Sequence, residues 1–463
     1  MTSLLADSGT SQGPELLVAL RGGQRRAQLE DRLRELVRDG TLAAGSRMPS
    51  SRALAGDLGV SRRLVVDAYA QLLAEGYLVA RQGAGTYVAA AATIEDTAPA
   101  PASSSASRFD FFPGAPDLSA FPRALWLSAT REVLRGAPDG AFAYPDARGA
   151  PALRHALSAY LRRVRGVVAE PESIVVCSGA TQGLALLARA LLARGVEAID
   201  VEDPGLPPHR GVLEYAGMRV HGARVDEHGL EVSSLRSTVV LSTPAHQCPT
   251  GVALSPQRRG ELVRWAREGG LVIEDDYDAE FRYDRAPLAA LQGLAPDRIV
   301  YLGTVSKTLA PGMRLGWLIV PPSLIEAVAE AKALDDLGCS VIEQLVLARL
   351  LETSAYDRHL RKARRRNRAR RDALIGAVAR ELPGAGVSGV SAGLHALVHL
   401  PRAVEMHALL AGAADQSLGI YPLNFHQIEP QAEVRALVMG YANLSEPAIE
   451  EGVRRLAVVL AGL

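Results

Sequence analysis

The sequence predicts an α/β protein in two parts. An N-terminal winged helix-turn-helix is joined by a linker to a large unit with a mostly parallel sheet and a small C-terminal α+β subdomain. Three observations predict this. Residues 16–88 read as three short amphipathic helices followed by two short strands. Residues 89–107, AAAATIEDTAPAPASSSAS, hold Ala, Ser and Pro with little to bury, and so read as a flexible tether. From Phe109 onward, apolar strands alternate with amphipathic helices, the pattern of a parallel sheet covered on both faces.

At 463 residues the chain has room for more than one sizeable core. Its 51 Lys and Arg balance 51 Asp and Glu, which excludes a generic polyanion binder. Local charge differs: residues 21–88 carry 11 Arg against 7 acids, a net of +4. Cys177, Cys248 and Cys339 are too widely spaced for a disulfide framework or a metal set, and suit a reducing compartment. Met1–Pro14 lacks the basic-then-apolar order of a signal peptide. No apolar run approaches the roughly 20 residues of a membrane span. A cytoplasmic protein is expected.

In the first unit, a helix near Arg25–Asp39 places Leu29, Leu33, Leu36 and Val37 on one face. Ser50 or Ser51 caps a second helix, Gly59 makes the turn, and Ser61 caps a third that ends at Gly76. Tyr77–Ala80 and Thr86–Val88 form the wing. Ser61, Arg62 and Arg63 open the third helix, where a recognition helix presents side chains to base edges. Arg52 and Arg81 are placed for phosphates. Operator DNA is the expected partner. The stretches Met48–Arg63, Ala68–Tyr77 and Gly83–Val88 resemble a GntR-type winged-helix domain, a family that binds operators as dimers.

In the second unit, Ser173–Ser178 is a buried strand, and Gly179-Ala-Thr-Gln-Gly183 is a small-residue turn opening a helix at Leu184–Leu192. Such a turn offers free N–H groups to a phosphate. Leu271–Tyr277 is an apolar strand running into acids, and Ile299–Gly303 leads into Thr304-Val-Ser-Lys307. Only three of the 51 basic residues are lysine: Lys307, Lys332 and Lys362. Arginine cannot form a Schiff base, so a lysine kept at a strand end suits a site, whereas Lys332 and Lys362 suit a surface. A phosphate-ready turn, a carboxylate and an isolated lysine are what pyridoxal 5′-phosphate requires.

Phe111–Pro122, Tyr144–Gly149, Glu202–Gly205, His246–Gly251 and Glu274–Phe281 then resemble fold-type I aminotransferases. More closely, they resemble the aminotransferase-like half (residues 108–463) of MocR/GabR-type regulators. That resemblance implies a Schiff base on Lys307, with Asp275 on the ring nitrogen and Tyr277 on the phenolic oxygen. Phosphate contacts fall on Ala180, Thr181, Thr304, Ser306 and Arg314. Tyr144 reaches the neighbouring subunit of a head-to-tail homodimer. The pattern breaks at Leu206, where relatives carry a ring-covering aromatic, and at Cys248, where aminotransferases have Asn. It breaks again at Val438, the slot of the carboxylate-gripping arginine; Arg435 lies three positions earlier. The expected function is a regulator sensing pyridoxal phosphate or an amine or amino-acid effector, with at most partial transamination. The alternative is an aminotransferase with an N-terminal extension. The run Arg361–Arg371 reads as a solvated helix face, with a second DNA surface as the competing reading.

Overall fold

A computed structural model describes residues 24–81, 84–89, 107–283, 288–429 and 433–463. The chain divides at residues 104 and 105 into two compact units. The proposed tether falls almost wholly outside the described residues.

The first unit holds helices Arg25–Arg38, Ser51–Leu58 and Arg62–Ala74 and the hairpin Leu78–Arg81 with Gly85–Val88. Its core gathers the expected Leu29, Leu33, Leu36 and Val37 with Leu54, Val65, Ala68, Leu72, Leu78 and Val88. Ser50, not Ser51, caps the second helix, accepting from the Ala53 N–H at 3.1 Å, and Ser61 caps the third by accepting from Leu64 at 3.3 Å. Gly59 makes the turn between them in the left-handed region, φ 61°. The hairpin pairs Leu78 with Val88 and Arg81 with Gly85. Gln82 and Gly83 of the wing lie outside the described residues.

The second unit is built on an eight-stranded sheet. Its spatial order is Ile174–Cys177, Gly316–Ile319, Ile299–Thr304, Leu271–Asp275, Val239–Ser242, Ala198–Asp203, Arg219–Asp226, Gly229–Leu230. Neighbours from Ile299–Thr304 to Arg219–Asp226 pair in parallel. Gly316–Ile319 is antiparallel to both its neighbours, so Ile174–Cys177 again runs with the parallel set. Apolar side chains cover both faces: Tyr301, Val176, Trp317 and Leu157 belong to one core, and Leu302, Val175, Leu318 and Leu187 to another. Consequently the carboxyl ends of five strands meet at one edge, where open α/β sheets hold ligands. A smaller antiparallel sheet of Gly386–Ser388, His395–Glu405 and Glu433–Gly440 completes the unit. The long helix Ala355–Glu381 and the C-terminal helix Glu446–Ala461 pack with it around Val398, Leu437, Leu374 and Val453.

Four sequence expectations change. The helix expected from Leu184 begins at Gly179. The acid-rich strand stops at Asp275. Lys332 is fully buried rather than at the surface: its Nζ donates to Gln182 Oε1 at 3.0 Å and meets Cys339 Sγ at 3.1 Å and Asp336 Oδ2. Finally, the arginine run is not a wholly solvated face. Arg364 donates to the Glu280 carbonyl and Arg370 to Ala442 and Asp117. Arg366 pairs with Asp117, and Arg371 donates to Val390. These side chains tie the long helix to its own unit.

Candidate functional site

At the shared strand edge lies a cavity of about 410 Å³, lined among others by Lys307, Asp275, Tyr277, Arg314, Thr304 and Ser306. Ala180, Thr181, Leu206 and Cys248 also line it. Ten sequence-predicted residues from five strand ends are thus brought together. Tyr144 is not among the lining residues; it is 89% exposed.

One end of the cavity is a phosphate cradle. Helix Gly179–Leu192 starts there without a side-chain cap on its first N–H groups. Gly179 has φ 81°, and a Cβ on it would stand 2.8 Å from Arg314 Nη2, so only glycine lets the guanidinium lie across the helix start. Arg314 itself adopts φ 48° and donates to the Ser178 carbonyl. Thr304 Oγ1 donates to Leu315 O at 3.0 Å and accepts from the Ser306 N–H at 3.1 Å, which leaves the Ser306 hydroxyl, 2.8 Å from Thr304 Oγ1, at the cradle rim.

The opposite wall holds Asp275. Both carboxylate oxygens are buried and have no hydrogen-bond partner. Burial, then the charges of Asp276 and Asp278, push its acidity well above the usual carboxylate range. A buried carboxylate left open needs a cationic or N–H donor from outside the protein. A protonated pyridine nitrogen is such a donor, so these residues fit pyridoxal 5′-phosphate. His209 Nδ1 stands 3.6 Å from Asp275 Oδ2; burial, and then Lys307, lower its pKa to about 4, so it stays neutral.

Tyr277 closes the third side. Burial pushes its pKa well above the ordinary value and keeps the hydroxyl protonated. His246 Nδ1 lies 3.1 Å from both Tyr277 Oη and Asp278 Oδ2. Burial opposes a charged His246, but Asp278 outweighs it and raises the pKa. The single Nδ1–H of His246 is therefore shared between the two oxygens, and the Tyr277 hydroxyl proton, which meets the Cys248 sulfur, is the one that can turn to a phenolic oxygen. Cys248 is buried beside Tyr277, and burial pushes its thiol up, which suits a packing residue. Gly114 completes the site: at φ 74°, a Cβ there would sit 3.2 Å from Lys307 Nζ.

Arg435, the arginine nearest the Val438 slot, does not supply the carboxylate grip. It is exposed, pairs with Glu433 at 3.2 Å and does not line the cavity. Val438 is buried with Leu397 and Ala436. A register irregularity does occur, but between His399 and Val404 of the partner strand, and it does not turn Arg435 inward. Sequence reasoning missed His209, His395 and His426, and the aromatic wall of Phe112, Tyr421 and Phe425. His395 had one signal, a polar residue opening an apolar strand; the others had none.

On the first unit, Arg52, Arg62, Arg63 and Arg81 are all exposed. Arg62 Nε lies 3.5 Å from Ser51 Oγ, Arg63 is 3.9 Å from Asp67, and the Arg81 guanidinium lies 4.5 Å from the Tyr87 ring centre. Arg62 and Arg63 occupy the first turn of the third helix, as expected.

Residues 116–456 match the family model for aminotransferase class I and II, and residues 25–88 match that for bacterial regulatory proteins of the gntR family. The HTH-type pyridoxine biosynthesis transcriptional regulator PdxR of Corynebacterium glutamicum is 33% identical over 436 residues, covering 91% of this chain and 93% of that protein. The probable rhizopine catabolism regulatory protein MocR of Rhizobium meliloti is 32% identical over 458 residues, covering 93% and 92%. Among solved structures, the multiple substrate aminotransferase from Thermococcus profundus superposes with a TM-score of 0.71 at 26% identity, covering 78% of this chain and 92% of that one. The Pyrococcus horikoshii kynurenine aminotransferase, solved in complex with PMP, gives 0.70 at 25% identity, covering 77% and 92%.

Proposed function

Since this chain belongs to the gntR-family transcriptional regulators that carry an aminotransferase class I and II domain, the MocR and PdxR type, we propose that it is a pyridoxal-phosphate-dependent switch on operator DNA. One observation carries the reading. The second unit keeps Lys307 and a buried Asp275 without a hydrogen-bond partner on one cavity, while the described residues of the first unit form a winged helix.

Lys307, Asp275 and Tyr277 would hold the cofactor ring, and Ala180, Thr181, Thr304, Ser306 and Arg314 its phosphate. When bound, the cofactor supplies an electrophilic aldehyde carbon that takes one amine at a time. Lys307 Nζ is the resident amine. With another amine on the cofactor, Lys307 would stand free near Gly114 and His209 and would change the charge on that wall. A ligand with unequal affinity for two states shifts their balance, and operator affinity is the output. Arg62 and Arg63 contact DNA, supported by Arg52 and Arg81. The exposed Tyr144 suits a head-to-tail homodimer in which it reaches the partner's phosphate. The protein works in the cytoplasm.

The missing arginine at Val438, the leucine at position 206 and the cysteine at 248 argue against a full transaminase. The test is spectroscopic. Purified protein carrying the cofactor shows a visible absorption band that Lys307→Ala removes. Sustained exchange between an amino acid and an oxo acid, without operator binding, would instead support an aminotransferase with an N-terminal extension.

A further inference from the structure

One end of the cavity carries a polar group that neither the phosphate cradle nor the network around Tyr277 uses. His395 opens the strand His395–Glu405, is 1% exposed and lines the cavity. Its Nε2 lies 3.2 Å from the Pro249 carbonyl, which only accepts, so Nε2 carries the proton. Burial, and then the neighbouring His246 and His426, hold the ring well below its ordinary pKa, so it is neutral. Nδ1 is therefore a bare acceptor, and it is buried without a hydrogen-bond partner. Groups of this kind are rare in folded proteins unless something outside the chain completes them.

The surrounding wall narrows what that something is. Among the described residues, the cations lining the cavity are Lys307 and Arg314, and both serve the cofactor. Arg435 is exposed elsewhere, and Val438 is apolar. Phe112, Tyr421, Phe425 and His426 also line the cavity. Burial lowers the pKa of His426, whose Nδ1 is 3.0 Å from the Gly205 carbonyl, so His426 is neutral too. A carboxylate placed here would lose its hydration and meet no free cation. A hydroxyl or N–H would meet a waiting acceptor.

We propose that this end of the cavity takes an amine effector whose far end is an uncharged hydrogen-bond donor, held by His395 Nδ1, and not an amino acid carboxylate. The inference rests on the amine-sensing reading above and adds the chemical class of the effector.

The test uses the full-length, cofactor-loaded protein and three probes of similar length: 3-amino-1-propanol, butylamine and β-alanine. The shift of the visible band gives each half-saturation concentration. The hydroxyl compound is expected to act at about tenfold lower concentration than butylamine, the worth of one net hydrogen bond in a closed site. β-Alanine is expected to be the weakest. In His395→Leu the hydroxyl advantage vanishes while the butylamine value stays within about twofold. In His395→Gln, whose Oε1 also accepts, part of it returns. Retention of the band in each variant reports an intact site. β-Alanine binding tightest, or a hydroxyl preference that survives His395→Leu, overturns the inference alone. A band that Lys307→Ala removes but no amine shifts contradicts amine sensing itself.

Discussion

Glu274, Asp275 and Asp276 follow one another off a single strand and do three different jobs. Glu274 accepts the N–H groups of Leu291 and Gln292, each at 2.9 Å, and braces the sheet edge. Asp276 takes both arms of the buried Arg165, at 2.7 and 2.8 Å, and the Tyr301 hydroxyl at 2.6 Å. Asp275 alone is left open. Its raised pKa means that the folded, cofactor-free protein holds a proton which the unfolded chain has already released. Stability from this group is present below the ordinary carboxylate pKa of about 4 and is lost as pH rises through the folded value. Cofactor-free Asp275→Asn is therefore expected to melt higher than the parent at pH 8, with the gap closing toward pH 4, as followed by circular dichroism. The same substitution lowers the melting temperature gained on adding pyridoxal phosphate, because the neutral amide no longer pairs with the ring nitrogen. Lys307 and Asp275 were legible in the sequence because motif and chemistry agreed on them. Lys332 was not, because a lone lysine on a helix gives no sign of its burial. His209 and His426 were silent too, because nothing around them in the sequence marks their burial.

At the scale of elements, helix Gly179–Leu192 shows why a turn was expected where a helix stands. Gly179 and Gly183 have poor helix propensity, but packing overrides it. A Cβ at Gly183 would come within 2.9 Å of Leu302 Cδ1 and 3.3 Å of Cys177 Sγ, so the glycine lets the helix lie close on the sheet. Gln182 then accepts from Lys332 at 3.0 Å and also accepts the Ser178 N–H at 2.7 Å, linking the buried lysine to the phosphate cradle. Although burial opposes the charge, hydrogen bonds from Lys332 to Asp336 and Cys339 hold its pKa above the ordinary value. Lys332→Met should cost about 1–3 kcal/mol in denaturant unfolding, the worth of acceptors left unpaired, and should weaken cofactor retention on dialysis. Gly179→Ala should weaken retention more than it lowers stability, since it displaces Arg314. Opposite expectations apply to two sets of arginines. Arg63→Ala should weaken operator binding and lower the salt slope by about one. Neutralising Arg361 and Arg365, both exposed on the long helix, should leave that slope unchanged, because this helix serves its own unit; a lowered slope would restore the second DNA surface.

At the scale of the whole molecule, a formal charge of zero conceals a net of +4 over residues 21–88 and a second unit in which Asp275, alone among several buried acids, lines the cavity. The parallel sheet and the winged helix were both readable from periodicity, since each buries a repeating apolar face. The effector end of the cavity was not readable, because its wall is assembled from Phe112, His395 and Phe425, residues brought together only by the fold. The central claim, that the state of the cofactor site governs the grip on DNA, is tested most directly by footprinting the DNA upstream of the protein's own gene. Parent and Lys307→Ala protein are compared with and without pyridoxal phosphate. The account predicts a footprint whose strength changes with pyridoxal phosphate in the parent and not in Lys307→Ala. The same response in both proteins, or no footprint in any condition, would contradict it.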